Sequence, residues 1–500
     1  MSSDQGVPLQ QASSDQLKPG QSHTLMIEKF AQGGAAFATL QGMPVFIANG
    51  IPGQKVSIVI TKKHEKYLEA KVDKVILRSK DEIQAKCPHF GTCGGCVWQN
   101  LSYNKQIQYK EDIIRETLTH LTPVDESVRR TLAGRVLKII PSPQVFNYRN
   151  KLELTFGYST MRHEDKPPKN PGGKPQRIYF DENPSIGFHQ AGEWATILPI
   201  QECHLYDERL PVLLADVRKF MEVNKLTVYN PKTHRGMLRN LILRRGIHTE
   251  EQMICFIVQA RKKELEPLFQ KFMGFGGRPG LKSLLVVEHF GLNDKPEEPK
   301  IHTLVGEPFI TERLFDLSFQ ISPFSFFQTN TLAAEKLYAA IAAAADLSSR
   351  DTVLDAYCGM GTIGQYLARF CEKVVGVEAH PSAVDDALRS AGMNRIANIS
   401  FYKGKAEQVL NQQLKAGGKY RFNCIVVDPP RVGLHPQALS AVITHRAEKV
   451  VYVSCNVATF ARDLGEFLKN GYELRTVQPV DMFPHTAHIE LVALLQRKWF

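Results

Sequence analysis

Apolar and polar positions divide the chain into four stretches. Over residues 21–80 short apolar runs, Thr24–Ile27, Pro44–Ile47 and Val56–Ile60, alternate with the turn pairs Gly33-Gly34, Asn49-Gly50 and Pro52-Gly53. Strands at that spacing predict a small five-strand barrel of the OB type. Over residues 81–320 the pattern is mixed α/β, with helical spacing at Tyr103–His120 and strands at Tyr148–Phe156, Ser185–Phe188, Met237–Arg245 and Leu317–Ile321. Beyond residue 320 an alanine-rich helix, Thr331–Ala345, precedes strands that begin at Thr352, Val374, Cys424 and Val450. Runs of β-branched residues such as Val450-Val-Tyr-Val-Ser454 read as buried parallel strands. A helix at Ala458–Lys469 and two final strands, Glu473–Gln478 and His488–Leu495, predict an antiparallel hairpin that closes the sheet. The polar stretch 1–20 is read as a disordered lead, and Met161–Arg177, with four prolines, as a loop insertion.

Composition narrows the function. Lys and Arg number 62 against 51 Asp and Glu, a formal charge of +11, which favours a polyanionic partner. Lys62, Lys63, Lys66, Lys71, Lys74, Arg78 and Lys80 concentrate that charge at the end of the first stretch, as an RNA backbone would require. Glycine turns and alternating strands there resemble the TRAM module, an RNA-binding OB-like domain. No apolar run reaches membrane-spanning length and no signal peptide opens the chain, so a reducing, cytoplasmic setting is expected. In such a setting clustered cysteines point to metal. Cys87, Cys93 and Cys96 form a C-x5-C-x2-C group with two glycines beside it. This suits an iron–sulfur cluster better than tetrahedral zinc, which favours paired C-x2-4-C halves. Cys203 is the best polar-flanked fourth ligand.

The last stretch carries the chemistry. Asp355-Ala-Tyr357-Cys-Gly359-Met-Gly361-Thr-Ile-Gly364 is a strand, a glycine turn and a helix start, and Glu378 ends the next strand 19 residues after Gly359. That arrangement binds a nucleoside, with the acid on the ribose hydroxyls. Asp355 would repel the pyrophosphate of NAD, whereas S-adenosylmethionine brings an ammonium. Asp428-Pro429-Pro430 turns the chain at the end of another strand, and Arg431 follows where amino-group methyltransferases carry an aromatic residue. Cys455 ends the strand Val450–Ser454 at the edge where open α/β sheets bind ligands. Glu490 interrupts an apolar strand, a costly place for a carboxylate without a partner or a task.

Together, CPHFGTCGGC, Cys203, SFFQTN, DAYCGMGTIG, VVDPPRVGL, VSCN and HIELV resemble the TRAM-containing, iron–sulfur RNA uracil-5-methyltransferases. The resemblance implies a Rossmann-like methyltransferase domain over 321–500, a central α/β domain with a cluster over 81–320, and a TRAM barrel over 21–80. It implies Cys455 as nucleophile and Glu490 as the base that removes the C5 proton. Gln328, Tyr357, Glu378 and Asp428 fall on cofactor-binding positions. Cys87, Cys93, Cys96 and Cys203 fall on the ligands of a [4Fe–4S] cluster, and 23S ribosomal RNA is the implied substrate. Phe326 is a candidate to stack on the target base. Thr362 departs from the asparagine of some relatives.

The chemistry fits those residue types. A thiolate adding at uracil C6 makes C5 nucleophilic toward the sulfonium methyl, and a carboxylate must then remove the C5 proton so that elimination frees the cysteine. The base must leave its stack to be reached. Three other readings remain at this point: a transfer-RNA uracil-5-methyltransferase, an NAD-linked iron–sulfur oxidoreductase and a non-catalytic RNA-binding protein.

Overall fold

The computed structural model describes residues 17–160, 180–190, 193–293, 296, 299–415 and 421–498. The expected loop Met161–Arg177 and most of the expected lead lie outside them. Leu17 is already buried in the core.

The first stretch folds into β1 (Ser22–Met26), β2 (Lys29–Phe30), β3 (Ala36–Leu40), β4 (Met43–Ala48), β5 (Lys55–Lys63) and β6 (Leu68–Leu77). They form one curled sheet in the order β1-β5-β6-β4-β3-β2. The five-strand expectation missed the β3–β4 hairpin, whose turn is Gln41-Gly42 with both residues at positive φ, the primed geometry that suits a two-residue connection. Alternate residues of β5, Val56, Ile58 and Ile60, point into the core. Six of the seven predicted basic residues are exposed and Lys63 is half-buried.

α1 (Tyr103–Leu121) and α2 (Glu126–Leu132) lead into a second sheet of β7 (Lys151–Thr160), β8 (Phe180–Gln190), β9 (Glu193–Pro199), β10 (Leu238–Arg245), β11 (Gln252–Val258), β12 (Leu281–Glu288) and β13 (Lys300–Gly306), with α3 (Leu210–Val223) and α4 (Lys262–Phe272) between its strands. Both faces of its centre are buried. On β10, Leu241 and Leu243 pack with α3 and α4, while Ile242 points to a second core shared with the next hairpin, β14 (Ile310–Leu314) and β15 (Leu317–Ile321). Continuous apolar strands are the sequence mark of such two-sided burial.

The remaining elements are α5 (Thr331–Ala345), β16 (Thr352–Ala356), α6 (Thr362–Leu367), β17 (Lys373–Glu378), α7 (Pro381–Met393), β18 (Ile399–Lys403), α8 (Ala406–Lys415), β19 (Cys424–Val427), α9 (Pro436–His445), β20 (Lys449–Ser454), α10 (Val457–Lys469), β21 (Tyr472–Val480) and β22 (Glu490–Arg497). Their sheet runs β18-β17-β16-β19-β20-β22-β21, with β22 antiparallel to both neighbours. This is the Rossmann-like order with the terminal hairpin that the sequence predicted. The strand order reverses at β16, and the ligand crevice lies beyond the carboxyl ends there.

One part of the expected fold is corrected. Among the described residues no group of three or more Cys, His, Asp or Glu side chains is arranged to hold a metal ion. The central region therefore does not carry the predicted iron–sulfur site. No helix among the described residues is long and apolar enough to cross a membrane.

The loop from β21 to β22 is fixed from outside its own sheet. Lys110 of α1 and Asp481 are both fully buried, with Nζ 2.7 Å from Oδ1, and Nζ also donates to the Phe483 carbonyl at 3.1 Å. One turn earlier on the same helix face, Gln106 accepts the His485 N–H at 2.7 Å. The N–H groups of Val97 and Trp98 donate to the His485 carbonyl at 3.0 and 3.1 Å. His485 has φ 66°, a left-handed conformation that a non-glycine residue holds only when its surroundings impose it. Lys110→Met strands the Asp481 carboxylate, so the unfolding free energy should fall by about 3–5 kcal/mol in a urea titration. The double change Lys110→Met with Asp481→Leu should recover most of that loss.

Candidate active site

Strand register builds the centre of the site. β20 and β22 pair antiparallel with Ser454 opposite Leu491. One residue further toward the same end, Cys455 and Glu490 are neighbours. Cys455 is half-buried and Glu490 is buried. Asp428 follows β19, the other neighbour of β20, so three groups that titrate share one corner of the sheet.

Their electrostatics follow from that crowding. Burial, reinforced by Glu490 and Asp428 and opposed by Arg431, pushes the Cys455 thiol up to about 11. Burial and then Asp428 raise Glu490 well above the usual carboxylate range, with Arg431 pulling the other way. Burial alone lifts Asp428 to about 6. Burial and crowding thus disfavour charge on both the Cys455 thiol and the Glu490 carboxyl. Arg431 is the cation aimed at this corner. Its Nη2 lies 3.3 Å from Nδ1 of His488, whose pKa drops to about 4 through burial and then Arg431, so the ring accepts rather than donates.

Asn456 links the corner together. It is the N-cap of α10, its Oδ1 accepting the Ala458 N–H at 3.1 Å, the kind of cap this residue type favours. Its Nδ2 donates to the Arg431 carbonyl at 3.0 Å. A cavity of about 250 Å³ opens beside Cys455, bounded by Arg431, Asn456, His488 and, from the first sheet, Gln32 and Gly33.

The other predicted residues lie along the same edge of the sheet. Tyr357 follows β16 with φ 64°, so the turn into the glycine segment starts from a strained residue. Glu378 ends β17, where its two carboxylate oxygens accept the N–H groups of Gly359 at 3.0 Å and His380 at 2.8 Å. Asp355 is fully buried within the turn. Its Oδ2 accepts the Gly364 N–H at 2.8 Å, its Oδ1 has no protein partner, and burial raises it to about 8. A Cβ on Gly361 would meet the Phe401 ring at 2.7 Å, whereas one on Gly359 would meet nothing within 4 Å. The glycine turn is thus tight against the protein on one side and open on the other, as a bound nucleoside cofactor with an ammonium end requires.

Gln328 sits in the segment before α5, and the central sheet holds that segment in place. Asn150 donates to the Gln328 carbonyl at 2.8 Å, and buried Arg244 donates through Nε and Nη2 to the Pro323 carbonyl at 3.2 and 3.1 Å. Arg244, part of a region that reads as basic in the sequence, is therefore a buried brace. Phe326, in the same segment, is 72% exposed.

The four cysteines do come together, around a separate cavity of about 480 Å³. They do not fit the predicted [4Fe–4S] site, because Cys87, Cys93, Cys96 and Cys203 fail to form a metal-holding group. The sulfurs meet neutral donors instead: Gln99 Nε2 lies 3.6 Å from Cys96 Sγ and the Gly95 N–H 3.4 Å from Cys93 Sγ. Burial, then the neighbouring cysteines, push Cys96 up to about 12.

Sequence reasoning did not find Gln32, His488 or the linking role of Asn456. An Asn directly before an apolar helical pattern was the one available signal, a cap signature.

The chain matches the family model of tRNA (uracil-5-)-methyltransferases over residues 309–498 and that of the TRAM domain over residues 16–72. It is 36% identical over 483 residues to an uncharacterized RNA methyltransferase of Clostridium acetobutylicum, covering 96% of this chain and 99% of that one. A Chlorobaculum tepidum uncharacterized RNA methyltransferase is also 36% identical, over 464 residues and 92% of each chain. Among solved structures, the chain is similar to Pyrococcus abyssi tRNA (uracil-54, C5)-methyltransferase in complex with S-adenosyl-L-homocysteine. The TM-score is 0.70 at 27% identity, covering 94% of this chain and 99% of that one. These findings correct the expected iron–sulfur, 23S ribosomal type. The cluster fails on geometry, and a tRNA enzyme shares the architecture along nearly the whole chain.

The raised Cys455 thiol has a direct consequence. Alkylation needs thiolate, so iodoacetamide labelling of Cys455, followed by peptide mass spectrometry, should rise about tenfold per pH unit from neutrality toward pH 11. An unperturbed thiol would instead level off near its ordinary value of 9.0.

Proposed function

The chain belongs to the S-adenosylmethionine-dependent RNA uracil-5-methyltransferases, and we propose that its substrate is a uridine of transfer RNA, methylated through a covalent adduct on Cys455 that Glu490 resolves. The observation that carries the residue roles is the strand register, Ser454 opposite Leu491, which makes Cys455 and Glu490 neighbours. Support for transfer RNA is the likeness to the Pyrococcus abyssi enzyme over 94% of the chain.

In this reading the Cys455 thiolate adds to C6 of the flipped-out uracil, and the pyrimidine takes up the electrons as an enolate. Arg431 is the cation beside the sulfur and favours the thiolate. C5 then takes the methyl group from the sulfonium of S-adenosylmethionine, which leaves as the thioether. Ionised Glu490 removes the C5 proton, the electrons re-form the C5–C6 double bond, and the cysteine sulfur departs. A carboxylate whose pKa is raised by burial is a stronger base than an exposed one and holds the abstracted proton well.

Glu378 is assigned to the ribose hydroxyls, Tyr357 and Gln328 to the walls of the cofactor site, and Asp428 to its floor next to the transferring methyl. The unpartnered Oδ1 of Asp355 supports an ammonium nearby. S-adenosylmethionine supplies the electrophilic methyl group, and the residues named here bind and orient it. Exposed Phe326 offers a ring on which the extruded base or its neighbour stacks.

Cys455→Ala should abolish tritiated-methyl transfer to tRNA while S-adenosylmethionine binding by calorimetry stays near wild type. Retained turnover would remove Cys455 from the mechanism. Glu490→Gln should transfer the methyl group and then stall as an enzyme–RNA adduct, seen as a retarded band on a denaturing gel. Release of free product at the wild-type rate would exclude Glu490 as the base. Mapping 5-methyluridine in RNA from a deletion strain should show its loss from tRNA, with position 54 examined first. Loss confined to ribosomal RNA would overturn the substrate assignment.

A further inference from the structure

We propose that Gln32, in the β2–β3 loop of the N-terminal sheet, is a positioning residue for the methyl-transfer centre, through its hydrogen bond to Asn456. The inference rests on the covalent reading of Cys455 given above. Gln32 Nε2 donates to Asn456 Oδ1 at 2.7 Å, across 424 residues of sequence. The same Oδ1 caps α10, and the same side chain donates to the Arg431 carbonyl. Asn456 is thereby held from three sides: by its own helix, by the Asp428-Pro-Pro-Arg431 turn and by the N-terminal loop. Cys455 is the residue directly before it. Fixing the Asn456 side chain restricts the backbone that aims the sulfur, and small errors of aim at a reacting atom are expensive in rate.

A second observation is independent of that bond. The loop is built to approach the β21–β22 connection closely. The Gly34 N–H donates to the Ala31 carbonyl at 3.0 Å, and the Ala31 N–H donates to the Ala35 carbonyl at 2.8 Å, closing a tight turn. A Cβ on Gly34, which has φ +83°, would come within 2.2 Å of Ala487 Cβ and 3.5 Å of the Trp98 ring. Ala487 is three residues before Glu490, in the connection that α1 pins. Only glycine allows this contact, both for its backbone conformation and for its size. With Gly34 seated there, Gln32 and Gly33 form one wall of the 250 Å³ cavity beside Cys455. The loop of an RNA-binding module thus completes the catalytic pocket.

The test uses the full-length enzyme, S-adenosylmethionine and a tRNA transcript containing 5-fluorouridine. Fluorine at C5 leaves no proton for Glu490 to remove, so each turnover stops as a countable covalent adduct. Gln32→Ala removes the donor, and Gln32→Met keeps the length without it. Both should slow adduct formation at saturating RNA by about fivefold, the size expected for one hydrogen bond. Cofactor affinity should hold steady and RNA affinity by filter binding should stay within about twofold, since neither variant alters the charge that dominates RNA binding. Gly34→Ala should slow the same step by pushing the loop off Ala487. Gln32 is exposed, so its variants should melt with the wild-type protein. Wild-type rates in both Gln32 variants would overturn the clamp, as would a loss appearing only in RNA affinity, which would make the loop a docking surface. A Gln32→Met variant at the wild-type rate beside a slow Gln32→Ala would also overturn it, in favour of bulk. Failure of the wild-type enzyme itself to form the adduct would instead remove the covalent reading.

Discussion

The buried contact between Lys110 and Asp481 is the constraint on which the site depends. An ion pair with no exposed side chain is expensive to form and more expensive to break from one side, because the surviving charge has no solvent to turn to. Here it ties α1, which packs under the N-terminal sheet, to the loop that delivers Glu490. Gln106, one turn away, holds the left-handed His485 in the same loop, and the backbone of Val97 and Trp98 closes the contact. Glu490 is thus aimed by a helix more than 300 residues earlier in the chain. Burying polar side chains on one face of α1 fixes where the loop sits, which apolar packing alone would leave less defined.

The chemistry of the corner follows from three strand ends meeting. Burial raises all three groups, Asp428 raises both Glu490 and Cys455, and Glu490 raises Cys455 further. Charge on Cys455 and on Glu490 is accordingly disfavoured, with Arg431 as the counterweight. A site arranged in this way keeps its cysteine unreactive until substrate and cofactor change the balance of charge. The cysteine cavity illustrates the same physics, with Arg149 as the cation that acts on Cys203. Four thiols are gathered by the fold and raised first by burial, and they do not form a metal-holding arrangement.

The N-terminal sheet is part of the enzyme rather than an appendage. Its inner strands share a hydrophobic core with α1 and one face of the Rossmann-like sheet, with Phe30 and Trp98 ring centroids 4.6 Å apart. Its β2–β3 loop reaches the pocket. Exposed lysines on β5 and β6 give the module a positive face, and the loop contacts Asn456, the residue after Cys455. Positioning by charge and positioning by contact are thus combined in one small module.

What the sequence determined by itself were the local, periodic and chemically unusual features. Apolar runs marked the strands of the Rossmann-like sheet, the glycine turn and Glu378 marked the cofactor side, and a cysteine at a strand end with a carboxylate in an apolar strand marked the chemistry. These are legible because period, turn geometry and the cost of burying charge act over a few residues. Cysteine spacing was legible too, and misleading. Spacing and folding bring the four thiols around one cavity, but whether they form a metal-holding group depends on side-chain geometry that spacing does not set. Tertiary structure alone decided that Arg244 is a buried brace, that Asp355 sits inside its turn, and that Gln32 reaches Asn456. The first and last depend on contacts between residues 79 and 424 positions apart, where no local rule ties the partners together. The pairing of Cys455 with Glu490 lies between the two. The sequence named both residues, and one register between β20 and β22 made them neighbours, since a slip of one residue would have turned Glu490 to the other face.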